Sequence, residues 1–451
     1  MKRFTEPAGG ERLKADAVDK NFSDLHAPLR EAGAVIDAAR CLYCYEAPCV
    51  TACPTGIDIP KFIHQIRTGN IEGSARTILS ENIMGGTCAR ACPTEVLCEE
   101  VCVVNRSEGK PVNIGALQRF AVDRLIEKRG AHPFDRAPAS GRRLAVIGAG
   151  PAGLSFAHRA AMLGHDVAVF DAREKPGGLN EYGIAAYKMT NDFAQREVAF
   201  LLDIGGIVVK CGQALGRDFT IEKLRREFDA VFIGVGLARS NAPGVPGESF
   251  AGVSDALSFI ELVRQHKDKS SIPVGRDVVV IGGGNTAIDA GAQAKALGAR
   301  NVTLVYRRGR DDMGATPFEQ EFAATNGVSL IFRAVPKAFL GVGRVERARF
   351  AEAVERGGAL EETGREFEIA ADMVLMAVGQ RLAEAAFAGL RLERGRIWVD
   401  DQYQTSLPGV YAGGDCIRRG EDLTVRAVED GKRAAIVADA HLRAGVEGKT
   451  R

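Results

Sequence analysis

The chain has 451 residues, 46% of them apolar and 26% charged, a globular composition long enough for two or three domains. Its 59 basic and 58 acidic residues leave a formal net charge of +1, which excludes nucleic acid or an anionic membrane held by bulk charge. No stretch of about 18 apolar residues occurs, and the start, MKRFTEPAGGERLK, has no apolar core like that of a signal peptide. The expected compartment is therefore the cytoplasm, where clustered cysteines are metal ligands or redox groups rather than disulfides.

Residues 1–140 are cysteine-rich and helical in pattern, and hold eight of the ten cysteines. The first group, CLYCYEAPCVTACP at 41–54, has the form C-x2-C-x4-C-x3-C-P. Bacterial ferredoxins use a related run in which three thiolates wrap one cubane and the fourth, before proline, serves a second. By that logic Cys41, Cys44 and Cys49 belong to one [4Fe–4S] cluster and Cys53 to another. The later group, Cys88, Cys92, Cys98 and Cys102, supplies the remaining ligands. Structural zinc prefers two C-x2-C knuckles, and only one is present, at 41–44.

A Pro-, Ala- and Ser-containing linker, HPFDRAPASGRR, covers 132–143. After it, RLAVIGAGPAGLSFAHRAAMLGHDVAVFDA reads as strand, glycine turn, helix and strand. Gly148, Gly150 and Gly153 form GxGxxG: the first glycine permits the turn, the second admits a pyrophosphate, and the third lets helix pack on strand. The pyrophosphate then meets the free N–H groups of the helix N-terminus. Asp171 ends the next strand, where a carboxylate accepts ribose hydroxyls. PGGL (176–179) and a late return at Gly413-Gly414-Asp415 suit a long buried flavin, so this first fold is expected to bind FAD.

A second unit, DVVVIGGGNTAIDAGAQAKALGARNVTLVYRR, occupies 277–308. Its loop is Gly282-Gly283-Gly284-Asn285-Thr286-Ala287, and its second strand ends in Arg307 and Arg308 instead of an acid. Arginines there accept a 2′-phosphate, which favours NADP(H). The similar segments FDAVFIGVGL (228–237) and ADMVLMAVGQ (371–380) flank this unit and read as two crossings, so the second fold is expected to be inserted into the first. The expected domains are 1–140 (iron–sulfur), 141–238 and 379–451 (the two parts of the FAD domain) and 239–378 (NAD(P)). The fold class is α/β: a helical domain with two [4Fe–4S] clusters, then two Rossmann-like domains, one nested in the other. Hydride transfer from nicotinamide to flavin needs no side-chain acid or base, so no catalytic side chain is expected.

The segments CLYCYEAPCVTACPTGIDIPKFI, CARACPTEVLCEEVC, PVNIGALQRF, VIGAGPAG, FIGVGL and GGGNTAID together resemble the dihydropyrimidine dehydrogenase family: the N-terminal electron-input half of the long enzymes and the separate NAD-dependent flavoprotein subunits of bacteria. They are similar, less tightly, to the small subunit of glutamate synthase. The resemblance runs from about residue 20 to about residue 445. It implies that Cys41, Cys44, Cys49 and Cys102 hold one cluster, and that Cys53, Cys92, Cys98 and Gln118 hold the other, with Cys88 spare. It implies FAD contacts at Gly148, Ala149, Gly150, Pro151, Ala152, Asp171, Gly178, Leu179, Asp415 and Thr424, beside Gly153 and Gly414 of the glycine patterns. Lys188 stands where the long enzymes have an arginine near the flavin. NAD(P)H would meet Gly283 to Thr286, Arg307 and Arg308, but Gly314 replaces a further basic residue for the 2′-phosphate, which turns the balance slightly towards NADH.

The resemblance further implies a hetero-oligomer in which electrons leave for a partner with FMN in a β/α barrel and its own clusters. That partner would interconvert uracil or thymine and their 5,6-dihydro forms. Service to a glutamate synthase large subunit or to ferredoxin is the alternative, and a zinc-binding scaffold is a second one.

Overall fold

The computed structural model describes residues 12–447 except residue 129, so most of the polar start read above lies outside the described residues. The chain divides into two compact units. One comprises residues 26–181, 191–238 and the chain from 382 onward; the other comprises the chain up to 25, 182–190 and 239–381.

The first unit begins with short helices, with the eight clustered cysteines in them or in the turns between: Glu31–Ala38, Pro48–Ala52, Ile59–Arg67, Ile71–Glu81, Gly85–Ala91, Val103–Glu108 and Ile114–Lys128. Their starts are set locally. Asp58 and Asn70 cap their helices by accepting from the amides of Lys61 and Gly73, which otherwise lack partners in a first turn. Ile59, Phe62, Ile63 and Ile66, spaced at 3 and 4, form the buried face of one helix. A five-stranded parallel sheet follows, in the order Val410–Ala412, Ala230–Ile233, Arg143–Ile147, Asp166–Phe170, Ile207–Lys210. The central strands are buried apolar runs, as a parallel sheet covered on both faces requires. The last helix, Thr424–Glu447, lies against Pro151–Met162 so closely that a Cβ on Gly431 would stand 2.1 Å from the Ala152 carbonyl oxygen.

The second unit holds another five-stranded parallel sheet, ordered Val253–Asp255, Met373–Met376, Asp277–Ile281, Asn301–Tyr306, Val328–Phe332. An antiparallel sheet of Ala334–Leu340, Arg347–Arg356 and Ala359–Ala370 adjoins it in sequence. Entry and exit of the insertion pair as two short antiparallel strands, Arg239–Ser240 and Gln380–Arg381. The nesting expected from the two crossing segments is therefore present, and the chain returns to the first sheet at Val410.

The division differs from the expected boundaries in two ways. Residues 12–25 and 182–190 join the inserted unit, because Val18 and Phe22 share a core with Ala185, Ala186, Tyr187, Phe259 and Ile260. The cysteine region and the first nucleotide sheet form one unit, because buried polar groups tie them. Arg159 Nη2 donates to the Ser80 carbonyl at 2.6 Å, and Lys432 Nζ reaches the Thr55 carbonyl at 3.1 Å and Glu81 at 2.7 Å.

Candidate functional site

In the first glycine loop each glycine has a distinct task. Gly148 has φ +101°, and a Cβ there would lie 2.5 Å from the Gly234 carbonyl oxygen. A Cβ on Gly153 would lie 1.9 Å from the Gly148 carbonyl oxygen. At Gly150 the nearest atom would be 3.8 Å away, so glycine there leaves room in front of a helix N-terminus instead of avoiding the protein itself. Pro151 occupies the first helical turn, where its missing N–H costs nothing. Asp171 follows the strand paired in parallel with Arg143–Ile147. It accepts from the amides of Ala149 at 2.6 Å and Arg173 at 2.7 Å, and burial pushes its pKa up.

Around this loop stand the other residues expected at FAD. Gly177 donates its amide to the Ala149 carbonyl at 2.7 Å, and Gly178 (φ +56°) passes so near Gly150 that a Cβ would be 2.7 Å from its Cα. Leu179 is partly exposed. Gly414 (φ +74°) donates its amide to Asp430 Oδ2 at 2.9 Å. Asp415 is pushed up to about 6 by burial and then by the charge of Asp422, against the pull of Arg396. Thr424 Oγ1 donates to Asn180 Oδ1 at 3.2 Å. Open space at Gly150, a helix N-terminus and a ribose-accepting acid fit a dinucleotide.

The second loop repeats the logic. A Cβ on Gly282 would lie 2.3 Å from the Ala377 carbonyl oxygen, one on Gly283 would strike the Tyr306 ring at 2.4 Å, and Gly284 faces open space. The helix Asn285–Leu297 starts there, Thr286 lies in its first turn, and Asn285 Oδ1 is buried without a hydrogen-bond partner. Arg307 is exposed and Arg308 half-buried at the strand end. The turn that follows is braced by Tyr306 Oη donating to the Asp312 carbonyl at 2.8 Å and by the Gly309 amide donating to Asp312 Oδ2 at 3.0 Å.

Cys41, Cys44, Cys49 and Cys102 line one cleft, walled by Leu42, Pro48, Ile59, Pro60, Ile63 and Val112. Burial and then the neighbouring Cys41 and Cys102 thiolates push Cys49 up to about 12. Four cysteine sulfurs gathered in an apolar cleft fit an iron–sulfur cluster. Cys53, Cys88, Cys92 and Cys98 form the other neighbourhood: burial, then Cys88, Cys98 and Cys53, raise the pKa of Cys92. Gln118, buried on the helix Ile114–Lys128, donates Nε2 to the Gly85 carbonyl at 2.7 Å. That bond spends the amide nitrogen and leaves Oε1 as the atom able to ligate iron. Among the described residues, no three His, Cys, Asp or Glu side chains converge closely enough for a single metal ion.

Lys188 is engaged by carboxylates of the inserted unit. Its ammonium lies 2.8 Å from Asp289 Oδ1 and 2.7 Å from Glu319 Oε1, buried in the inserted unit. Burial alone lowers a lysine pKa; here the two carboxylates outweigh it and raise the pKa. The segment 182–190 packs with the inserted unit, which brings this cation to those two carboxylates. Sequence reading missed Asn180, Glu197 and Asp430. Glu197 had a signal: it sits four residues after Phe193 on the buried face of its helix.

The profile of pyridine nucleotide-disulphide oxidoreductases matches residues 142–431, and that of dihydropyrimidine dehydrogenase domain II, 4Fe-4S cluster, matches 18–130. The chain is 35% identical to the NAD-dependent dihydropyrimidine dehydrogenase subunit PreT of Escherichia coli K12, over 89% of this chain and 92% of that one. It is 33% identical to the glutamate synthase [NADPH] small chain of Halomonas elongata, over 94% of each. Among solved structures, Mycobacterium tuberculosis FprA in complex with NADPH shares the fold with a TM-score of 0.58 at 20% identity, covering 69% of this chain and 86% of that one. The thioredoxin reductase of T. acidophilum matches 66% of this chain and 99% of its own at a TM-score of 0.50 and 23% identity.

Proposed function

We propose a specific task for this chain, which belongs to the pyridine nucleotide-disulphide oxidoreductase family and carries the 4Fe-4S domain of dihydropyrimidine dehydrogenase at its N-terminal end: it is the electron-input subunit of a pyrimidine reductase. The chain is an NAD(P)H-dependent flavin and iron–sulfur oxidoreductase subunit. Its proposed partner holds FMN in a β/α barrel and interconverts uracil or thymine with their 5,6-dihydro forms. When bound, FAD and two [4Fe–4S] clusters supply the exchange between hydride and single electrons.

The protein's own part is to hold and space these groups. Gly150 and the N-terminus of Pro151–Met162 receive the FAD pyrophosphate, Asp171 its ribose, and Asp415 and Thr424 the far end of the molecule. Gly284, Asn285 and the following helix receive the nicotinamide dinucleotide, with Arg307 and Arg308 at its adenosine ribose. Cys41, Cys44, Cys49 and Cys102 hold one cluster; Cys53, Cys92, Cys98 and Gln118 hold the other.

The observation that carries the electron-transfer reading is the cleft that gathers Cys41, Cys44, Cys49 and Cys102 from two distant stretches of chain. A further contact supports an order. Asn180, bonded to Thr424 on the flavin side, also reaches Met84 Sδ at 3.5 Å, immediately before the helix that ends at Cys92. The Cys92 set is thus the neighbour of the flavin site, and the Cys41 set, flanked by exposed Leu42 and Tyr45, is the exit.

Anaerobic co-purification from native cells tests the partner. An FMN-bearing β/α-barrel protein retained with this chain supports the reading. Retention of a glutamate synthase large subunit instead supports the second reading, which rests on the similarity to the Halomonas small chain.

A further inference from the structure

Glu197 is the most enclosed carboxylate near the cysteine helices, 1% exposed, and no part of the mechanism above uses it. It projects from the helix Phe193–Leu202 onto the start of Gly85–Ala91. Its Oε1 accepts from the amides of Gly86 at 2.8 Å and Thr87 at 2.9 Å, and its Oε2 accepts from the Thr87 hydroxyl. The approach requires glycine: a Cβ on Gly86 would fall 2.4 Å from the Phe193 ring and 2.8 Å from Glu197 Oε1. A Cβ on Gly85 would fall 2.7 Å from Ile78.

The same first turn presents the Gly85 carbonyl to Gln118. A carbonyl oxygen only accepts, so the Gln118 amide must turn Nε2 towards it and Oε1 away. Rotation of Gly85 would free that amide to flip and offer iron a nitrogen that is a poor ligand. Arg90 completes the brace. Its Nη1 donates to the Gly86 carbonyl at 3.0 Å, its Nη2 pairs with Asp123 at 2.7 Å on the helix that carries Gln118, and its guanidinium lies 3.5 Å from the Phe193 ring centre.

We infer that Glu197 is a positioning residue for the second cluster: through the amides of Gly86 and Thr87 it fixes the Gly85 carbonyl, which holds Gln118 with Oε1 available to iron. The inference rests on the reading of Gln118 as a ligand. Glu197 is not a ligand in this scheme and acts through the peptide turn and the glutamine. Outer contacts of this kind are commonly worth a factor of roughly 10–100 in metal retention.

The test uses the whole chain, purified without oxygen with its clusters and FAD. For each variant the reduced-state paramagnetic resonance of the two clusters is recorded, together with the rate at which a chelator strips iron. Gln118→Ala should alter the second cluster's signal and leave the first unchanged. Glu197→Ala should alter the same signal and speed iron loss from that cluster by roughly 10–100-fold, whereas Glu197→Gln, which keeps the accepting oxygen, should restore both readouts. In a Gln118→Ala background, Glu197→Ala should add nothing.

A normal second-cluster signal in Glu197→Ala, alongside an altered one in Gln118→Ala, overturns the inference and spares the ligand. Additive changes in the double variant overturn it too, as they would show an action independent of Gln118. No change in Gln118→Ala itself removes the ligand assignment, and the inference with it. Thr87→Val deletes one of the three bonds at constant volume and serves if Glu197→Ala does not fold: a smaller change confined to the second cluster supports the relay, and an unchanged signal rejects it.

Discussion

Lys188 Nζ stands 2.7 Å from Glu319 Oε1 in a site from which solvent is almost excluded, and Asp289 lies on its other side at 2.8 Å. Tyr187 Oη also donates to Asp289 Oδ1 at 3.0 Å. A single cation is thus shared between two carboxylates that come from different helices, Asn285–Leu297 and Pro317–Thr325. Removing one partner of such a set leaves uncompensated buried charge, which typically costs about 3–5 kcal/mol.

Lys188→Met is therefore expected to destabilise the inserted unit by about 3–5 kcal/mol, read by denaturant unfolding. It should leave the bound flavin per chain unchanged, because the ammonium is engaged by Asp289 and Glu319. Loss of flavin without loss of stability would instead support the expected contact between Lys188 and FAD.

The two cysteine neighbourhoods make separable predictions. Cys53→Ala should damage the cluster that Cys92 and Cys98 serve, while the set lining the Cys41 cleft keeps its iron; the reverse holds for Cys102→Ala. Cys88→Ser should leave the iron count at the wild-type value. Iron analysis with paramagnetic resonance distinguishes these, and equal loss of both clusters in Cys53→Ala would reject the division.

Both glycine loops and the nesting of one sheet in the other were legible because each is a local pattern with a strict steric cause. Gly148, Gly153 and Gly282 face backbone oxygens that no side chain tolerates. The cysteine spacing was legible for the same reason up to Cys53, but the choice of Cys102 to complete the first set came from resemblance, because spacing says nothing of how a chain folds back 49 residues later, from Cys53 to Cys102. The carboxylate partners of Lys188 were not legible because a nine-residue segment packs with the inserted unit, where Ala185, Ala186 and Tyr187 find a core. Glu197 and Asp430 were missed because one acid on a helix is an ordinary sight until its burial and its backbone partners are known.

Arg307 and Arg308 carry the prediction on cofactor choice. If they meet a 2′-phosphate, Arg307→Ala should weaken NADPH by about 1.5–3 kcal/mol, roughly 10–160-fold, and NADH by far less. Gly314 lies near the loop, with a Cβ built on it 3.9 Å from Gly284 Cα, and brings no charge. Equal losses for the two nucleotides in steady-state kinetics with an artificial dye would mean that the arginines contribute no 2′-phosphate recognition.

Asp415 predicts a pH dependence of stability in the flavin-free chain. Burial, with Asp422 adding to it, holds the folded carboxyl at about 6 against an ordinary 3.8. A raised acid pKa favours the protonated folded state, so this contribution is present below the unfolded value of 3.8 and is lost as pH rises through about 6. The interval of about two pH units corresponds to at most about 3 kcal/mol. Asp430, also raised to about 6 by burial, acts in the same window and in the same direction. Asp415→Asn keeps the shape and cannot ionise. Relative to the parent chain it should gain stability as pH rises from 4 to 7, measured by unfolding across that range. A stability difference that stays flat with pH would show that Asp415 ionises in the folded chain as easily as in the unfolded one, and that its burial does not disfavour the charge.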